Sequence, residues 1–347
     1  MHRRLFTALA ALALAPVPSA CAAPGQTAQI PAKLQWRITP REANDSKIQF
    51  ELSYRTANSR SSWGRSMELA DLQGLDRAVL DGSAGTVVHF RLVRDAGNFD
   101  CEGTVWHGSG TGECSFAPGR AFAAELGQHG YGTPDDVQLF HLAMADIGRA
   151  YVTEVARQGY ARPDIAQLIE AGDHGIHLTY LTGMGALGYK VGTLPALVRL
   201  RDHGVGPDYI KSVVEAGLAD LPPDTLVDMR DHGVSASYIG QLRQLGYRGV
   251  GVEKLIELRD HGISADYVAA LSQNGLKGLP LDQLVELRDH GITATYVEGM
   301  RTAGYGGFSP AELVRLRDNG VTSDFARRAG SGTRLTADEL IRLRTGG

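Results

Sequence analysis

The sequence predicts an α+β protein: a small antiparallel β domain followed by an α-helical solenoid of 29-residue helix-pair repeats. Three observations carry this. The phrase Arg-Asp-His-Gly returns at a constant interval, two glycines stand in every interval where a helix would stop, and the preceding residues 27–117 show the partial alternation of strands. The predicted organisation is a signal peptide over 1–22, a β domain over 27–117 and repeats over 118–347.

The N-terminus has the form of an export signal. Arg3 and Arg4 supply the positive charge, Leu5 to Ala15 the apolar stretch, and Ala20-Cys21-Ala22 the small residues of a cleavage site. That apolar run is too short to anchor the chain across a bilayer, and nothing later approaches the required length. Arg3-Arg4-Leu5-Phe6 partly resembles a twin-arginine signal. Ser19-Ala20-Cys21 resembles the end of a lipobox, although Pro18 stands where an aliphatic residue is usual. Lipidation of Cys21, giving a lipid tether, is the alternative to simple cleavage. The expected location is the periplasm or cell envelope of a bacterium.

Segments 33–38, 47–55, 86–93 and 99–106 are rich in β-branched and aromatic residues, and turn residues separate them. The alternation is cleanest at Ile48, Phe50, Leu52 and Tyr54. After Cys21 only Cys101 and Cys114 remain. A hairpin turning between His107 and Gly108 sets these two opposite one another, close enough to bridge in an oxidising compartment. Boundaries and strand character suggest a sandwich or half-barrel ending near Pro118.

From there the repeat is continuous. One glycine column runs through Gly175, Gly204, Gly233, Gly262, Gly291 and Gly320, and a second from Gly130 to Gly304. An aromatic column runs Phe122, Tyr151, Tyr180, Tyr209, Tyr238, Tyr267, Tyr296 and Phe325; a leucine column runs from Leu139 to Leu313, with Leu340 two residues early. Each unit reads as two short helices. Ser264 is an N-cap for a helix carrying Tyr267, Val268 and Leu271 on one face, and Gly275 stops it. Ser309-Pro310-Ala311-Glu312 and Thr336-Ala337-Asp338-Glu339 open helices with capping boxes. Helices this short cannot stand alone in water, so neighbours must stack to complete the core. At about 10 Å per helix, eight pairs span roughly 80 Å. The 43 glycines, about twice ordinary usage, follow from two stops per repeat.

The repeats, with the stretch Phe99-Asp100-Cys101-Glu102-Gly103 … Gly110-Thr111-Gly112 … Phe116-Ala117-Pro118 before them, resemble the extracytoplasmic tails of some Bla-type antirepressor membrane metallopeptidases. The resemblance covers about residues 85–347. It implies an extracytoplasmic module of unassigned binding role. The chain has no His-Glu-x-x-His and no transmembrane helix, so peptidase activity and signalling do not carry over.

No catalytic, cofactor-binding or metal residues are expected. Asp-His pairs at 173/174, 202/203, 231/232, 260/261 and 289/290 invite a metal reading, but five identical pairs in successive layers do not converge on one point. The plainer expectation is that each His meets free carbonyls in the last helical turn, and that each Asp meets first-turn amides of the next helix or an Arg. The Tyr column, with Phe at both ends, reads as packing. Trp36, Trp63 and Trp106 could build a sugar platform, although core packing is the simpler role. A net charge of −4 gives no reason to expect nucleic acid. The function expected is a non-catalytic interaction protein binding a protein or peptide through its repeats, with carbohydrate or cell-wall binding through the β domain as the alternative.

Overall fold

The computed structural model describes residues 30, 33–39, 46–55, 60–330 and 334–346. The signal segment 1–22 and Cys21 lie outside the described residues.

The N-terminal part is one curled antiparallel sheet of seven strands: β1 (Leu34–Thr39), β2 (Lys47–Arg55), β3 (Arg60–Glu68), β4 (Leu72–Gln73), β5 (Thr86–Arg94), β6 (Gly97–Trp106) and β7 (Ser109–Pro118). Their order is β3-β2-β1-β7-β6-β5-β4, so the first strand closes against the last. A short helix α1 (Arg77–Leu80) interrupts between β4 and β5. The sheet uses one face for its core. Leu34, Trp36 and Ile38 of β1 are buried while Gln35, Arg37 and Thr39 are exposed. Strand β3, with the sequence RSSWGRSME, has no apolar alternation and was not legible as a strand; it pairs along its whole length with β2.

Trp36 explains the glycines opposite it. Its indole lies across β6 and β7 and donates to the main-chain carbonyl of Glu102 at 2.9 Å. A Cβ on Gly103 or Gly112 would come within 2.5 or 2.6 Å of that ring, and one on Gly110 within 2.9 Å. The β6–β7 hairpin turns at His107 (φ 47°) and Gly108 (φ 75°), as a two-residue loop with both residues left-handed does. That register sets Cys101 against Cys114, with Cα atoms 4.0 Å apart and the disulfide formed.

Sixteen further α-helices follow among the described residues, with a π-helical turn over Arg301–Tyr305. One row consists of α2 (Arg120–Gln128), α4 (Arg149–Arg157), α6 (Leu178–Ala186), α8 (Pro207–Glu215), α10 (Ala236–Gln244), α12 (Ala265–Gln273), α14 (Ala294–Met300) and α16 (Ser323–Ala329). The other consists of α3 (Asp136–Ala145), α5 (Ile165–Asp173), α7 (Leu194–Asp202), α9 (Pro223–Asp231), α11 (Val252–Asp260), α13 (Leu281–Asp289), α15 (Pro310–Asp318) and α17 (Ala337–Thr345). Helices pack along their own row, α4 on α6 and α6 on α8, α3 on α5 and α5 on α7, which is the stacking a helix-pair array requires. The leucine column from Leu139 to Leu340 lies buried at every step. Capping follows the sequence: Ser264 accepts from the Tyr267 amide at 3.1 Å, and both capping boxes at Ser309 and Thr336 are closed.

Sheet and array share a core. Phe140 of α3 sits edge-on to Tyr54, Phe99 and Phe116, with ring centroids 5.3 to 6.2 Å apart. Asp146 stands where later repeats have glycine, keeps the left-handed backbone (φ 60°), and uses its carboxylate on the sheet. It holds Arg65 of β3 at 2.8 Å and Arg94 of β5 at 3.0 Å. Burial depresses the Arg94 pKa, and Asp146 is the nearby charge opposing that shift. Asp146→Gly, which keeps the backbone but removes the charge, is therefore expected to cost about 2 kcal/mol. A thermal melt unchanged from the parent protein would remove this role.

Candidate interaction surface

The turn joining each odd-numbered helix to the next even-numbered one carries the repeated phrase, so all its copies line one long edge of the array. The chain reverses there on the glycine column. Gly204, Gly233, Gly262 and Gly291 have φ of 72°, 70°, 67° and 68°, a conformation that strains side-chain-bearing residues.

The tyrosines tie successive repeats together. Tyr209, Tyr238, Tyr267 and Tyr296 donate from their hydroxyls to the carbonyls of Val234, Ile263, Ile292 and Val321, each 25 residues on, at 2.7 to 3.0 Å. Burial pushes their pKa values up to about 12. Tyr209 and Tyr238 thus have the same partners one repeat apart, as a translating array demands. Tyr151 has no such bond, and its hydroxyl is buried without a partner.

The arginine of each phrase lies over the tyrosine of the preceding repeat. Arg201, Arg230, Arg259, Arg288 and Arg317 place their guanidinium carbons 4.8 to 5.5 Å from the ring centres of Tyr180, Tyr209, Tyr238, Tyr267 and Tyr296. Arg344 reaches Phe325 at 5.5 Å even though the last repeat is two residues short. The sequence showed these arginines without showing their role. The signal was there in the constant offset of 21 residues from Tyr to Arg.

Histidine and aspartate depart from the expectation. The ring Nδ1 of His174, His203, His232, His261 and His290 meets the carboxylate of Asp202, Asp231, Asp260, Asp289 and Asp318, the aspartate of the next repeat, at 2.5 to 2.9 Å. The carboxylate only accepts, so Nδ1 is the donor. Local capping loses because the 29-residue translation brings the end of one helix beside the last turn of its neighbour, 28 residues on. Asn319, in the last histidine position, does cap: its amide donates to the Arg315 carbonyl at 2.8 Å. Thr345 stands near where its aspartate would be, so both members of the rung are gone together. Asp173 opens the ladder with Ala145 in place of a histidine. His177 is not joined to His174; it stands at the start of α6, with its Nδ1 buried and unpartnered.

These rungs make stability depend on pH. The hydrogen bond to aspartate raises the pKa of His174, His232 and His290 above 6.5, assisted by Glu170 and Asp173, by Asp228 and Asp231, and by Glu286 and Asp289 respectively. A raised folded-state pKa contributes stability that is complete below the ordinary value and lost as pH climbs through the raised one. Melting temperatures are expected to fall as pH rises above the ordinary histidine value of about 6.5. With all three changed to Gln the fall should shrink; an identical pH profile for both proteins would refute the assignment.

Along the same edge an open trough of about 610 Å³ crosses from α6 to α8. Tyr180, Tyr209 and Pro207 form its apolar lining; Arg201, Lys211 and Arg230 give it positive charge, with Asp208 at one side. On the sheet, a second depression of about 590 Å³ is polar, lined by Lys33, His89, Arg91, Asp100, Glu102 and Glu113. The tryptophans form no platform there: Trp36 is core at 1% exposure, Trp63 is half-buried beneath Arg65, and Trp106 is exposed on its own. Among the described residues no group of three His, Cys, Asp or Glu side chains is placed to hold a metal ion, and no helix is long and apolar enough to cross a membrane. No family model and no curated protein matches the chain.

Proposed function

We infer that this chain is an exported, non-catalytic interaction protein that binds a protein or peptide partner in the bacterial cell envelope through its helical-repeat surface. The trough between α6 and α8 carries this reading. It is open, it pairs aromatic rings with cations, and its Tyr–Arg pairs, though not Pro207 or Lys211, recur in the repeats that follow. Those are the properties of a surface that accepts an extended chain. The resemblance to extracytoplasmic metallopeptidase tails agrees with such a module, and the Cys101–Cys114 disulfide suits an oxidising compartment. Measuring the mass of the exported form decides whether cleavage leaves Cys21 free, lipidated or removed.

Carbohydrate or cell-wall binding through the sheet keeps one supporting observation, the polar depression beside Glu102 and Glu113. A photo-crosslinking residue at Thr179 or Lys211 in the trough, and another at Val87 on the sheet, separates the two in cells. Protein adducts from the trough positions are expected. Adducts confined to Val87, or retention of the protein on isolated cell wall alone, would overturn the trough reading.

A further inference from the structure

The arginines of the repeated phrase carry charge that the chain does not offset. The aspartate beside each one is its obvious partner, yet Asp202, Asp231, Asp289 and Asp318 are held by histidines of the preceding repeats. Arg199 and Arg315, only two residues upstream in their phrases, do have aspartate partners, Asp224 and Asp338. Arg201, Arg230, Arg288 and Arg317 are exposed and have no ion pair or hydrogen bond among the described residues. Stacking covers one face of each guanidinium and leaves its N–H edge without an acceptor.

We propose that this row of stacked guanidiniums recognises an extended acidic peptide segment, one carboxylate to each repeat. The proposal rests on the protein-binding reading above and names the chemistry of its partner. A guanidinium fork matches a carboxylate with two parallel hydrogen bonds. Packing against tyrosine holds the fork in place beforehand, which reduces the entropy lost on binding. The trough between α6 and α8 sets three cations, Arg201, Lys211 and Arg230, against one carboxylate, Asp208, on a chain of net charge −4, so it attracts what the rest of the surface repels. Helices stack at about 10 Å, and a polyproline-II chain has three residues per turn and rises about 3.1 Å per residue, so an acidic residue at every third position keeps both register and facing. The trough also favours a peptide over a phosphate polymer. Asp208 and Thr179 can accept hydrogen bonds from peptide N–H groups, donors that a phosphate polymer lacks.

The test uses the full chain and a fluorescent peptide of about 18 residues with Glu at every third position, read by anisotropy. A twin peptide with Gln in place of Glu, and inorganic polyphosphate, serve as comparisons. The Glu peptide is expected to bind, the Gln peptide about tenfold more weakly, and added salt should weaken the Glu peptide about tenfold. R230Q with R288Q should lose about tenfold, and R230K with R288K should fall between. Should the Gln variants not fold, the Glu/Gln and salt comparisons on the unaltered chain still decide. Equal binding of both peptides, or a salt-independent affinity, overturns acidic recognition and leaves peptide binding standing. Binding of polyphosphate with neither peptide bound overturns both. No binding by any of the three overturns the acidic-peptide proposal alone.

Discussion

Tyr238→Ala is expected to destabilise the array by about 3 to 5 kcal/mol, and Tyr238→Phe by about 1 kcal/mol. The tyrosine is 5% exposed, its ring lies under Arg259 at 5.1 Å, and its hydroxyl donates to Ile263 at 2.8 Å. Truncation to alanine removes a large buried ring from between two repeats and leaves a cavity that neither can fill. The guanidinium then loses its stacking surface as well. Phenylalanine retains ring and stack and gives up only the hydrogen bond, leaving the Ile263 carbonyl without that donor. Stability in a repeat array is a sum of units and their interfaces, so damage at one joint should split the unfolding transition. Thermal unfolding followed by helical circular dichroism measures this. Equal losses for the two variants would mean that the ring does not bridge repeats. The same ranking is expected at Tyr267.

Breaking the Cys101–Cys114 bridge is expected to cost the sheet about 3 kcal/mol, the value for a loop of about 15 residues. The bond closes the β6–β7 hairpin, which lies beside β1 at the centre of the sheet. All three tryptophans of the chain, at 36, 63 and 106, belong to this sheet. Tryptophan fluorescence therefore reports the sheet, and circular dichroism reports mainly the helices. Reductant, or Cys101→Ala with Cys114→Ala, should move the fluorescence transition to lower denaturant. The helical transition should move less, and chiefly through Phe140 and Asp146 at the junction. A fluorescence midpoint insensitive to reductant would show that strand pairing alone holds the hairpin.

The sheet was only partly legible. Ile48, Phe50 and Leu52 announced β2 by alternation, and the turn at His107-Gly108 announced both hairpin and disulfide. Strand β3 gave no such signal, because serine, glycine and arginine occupy it and its place comes from pairing with β2. The same limit applies to Trp36. Its chemistry permitted a sugar platform beside the simpler core role, and the 1% exposure with the close passage of Gly103 and Gly112 decides for the core.

Periodicity alone determined the array: constant spacing of stops, caps and apolar residues leaves short helices no stable state except a stack of like units. Local signals also placed the caps at Ser264, Ser309 and Thr336, since each is decided within four residues of sequence. The partners of His, Asp, Tyr and Arg were decided only by the fold. Each lies 21 to 28 residues from its counterpart, and whether a side chain caps its own helix or reaches the next depends on how closely the repeats translate. That translation is set by the buried leucine column. It turns a motif that suggests metal ligands into a series of joints, and leaves Arg201, Arg230, Arg288 and Arg317 exposed without an ion pair among the described residues.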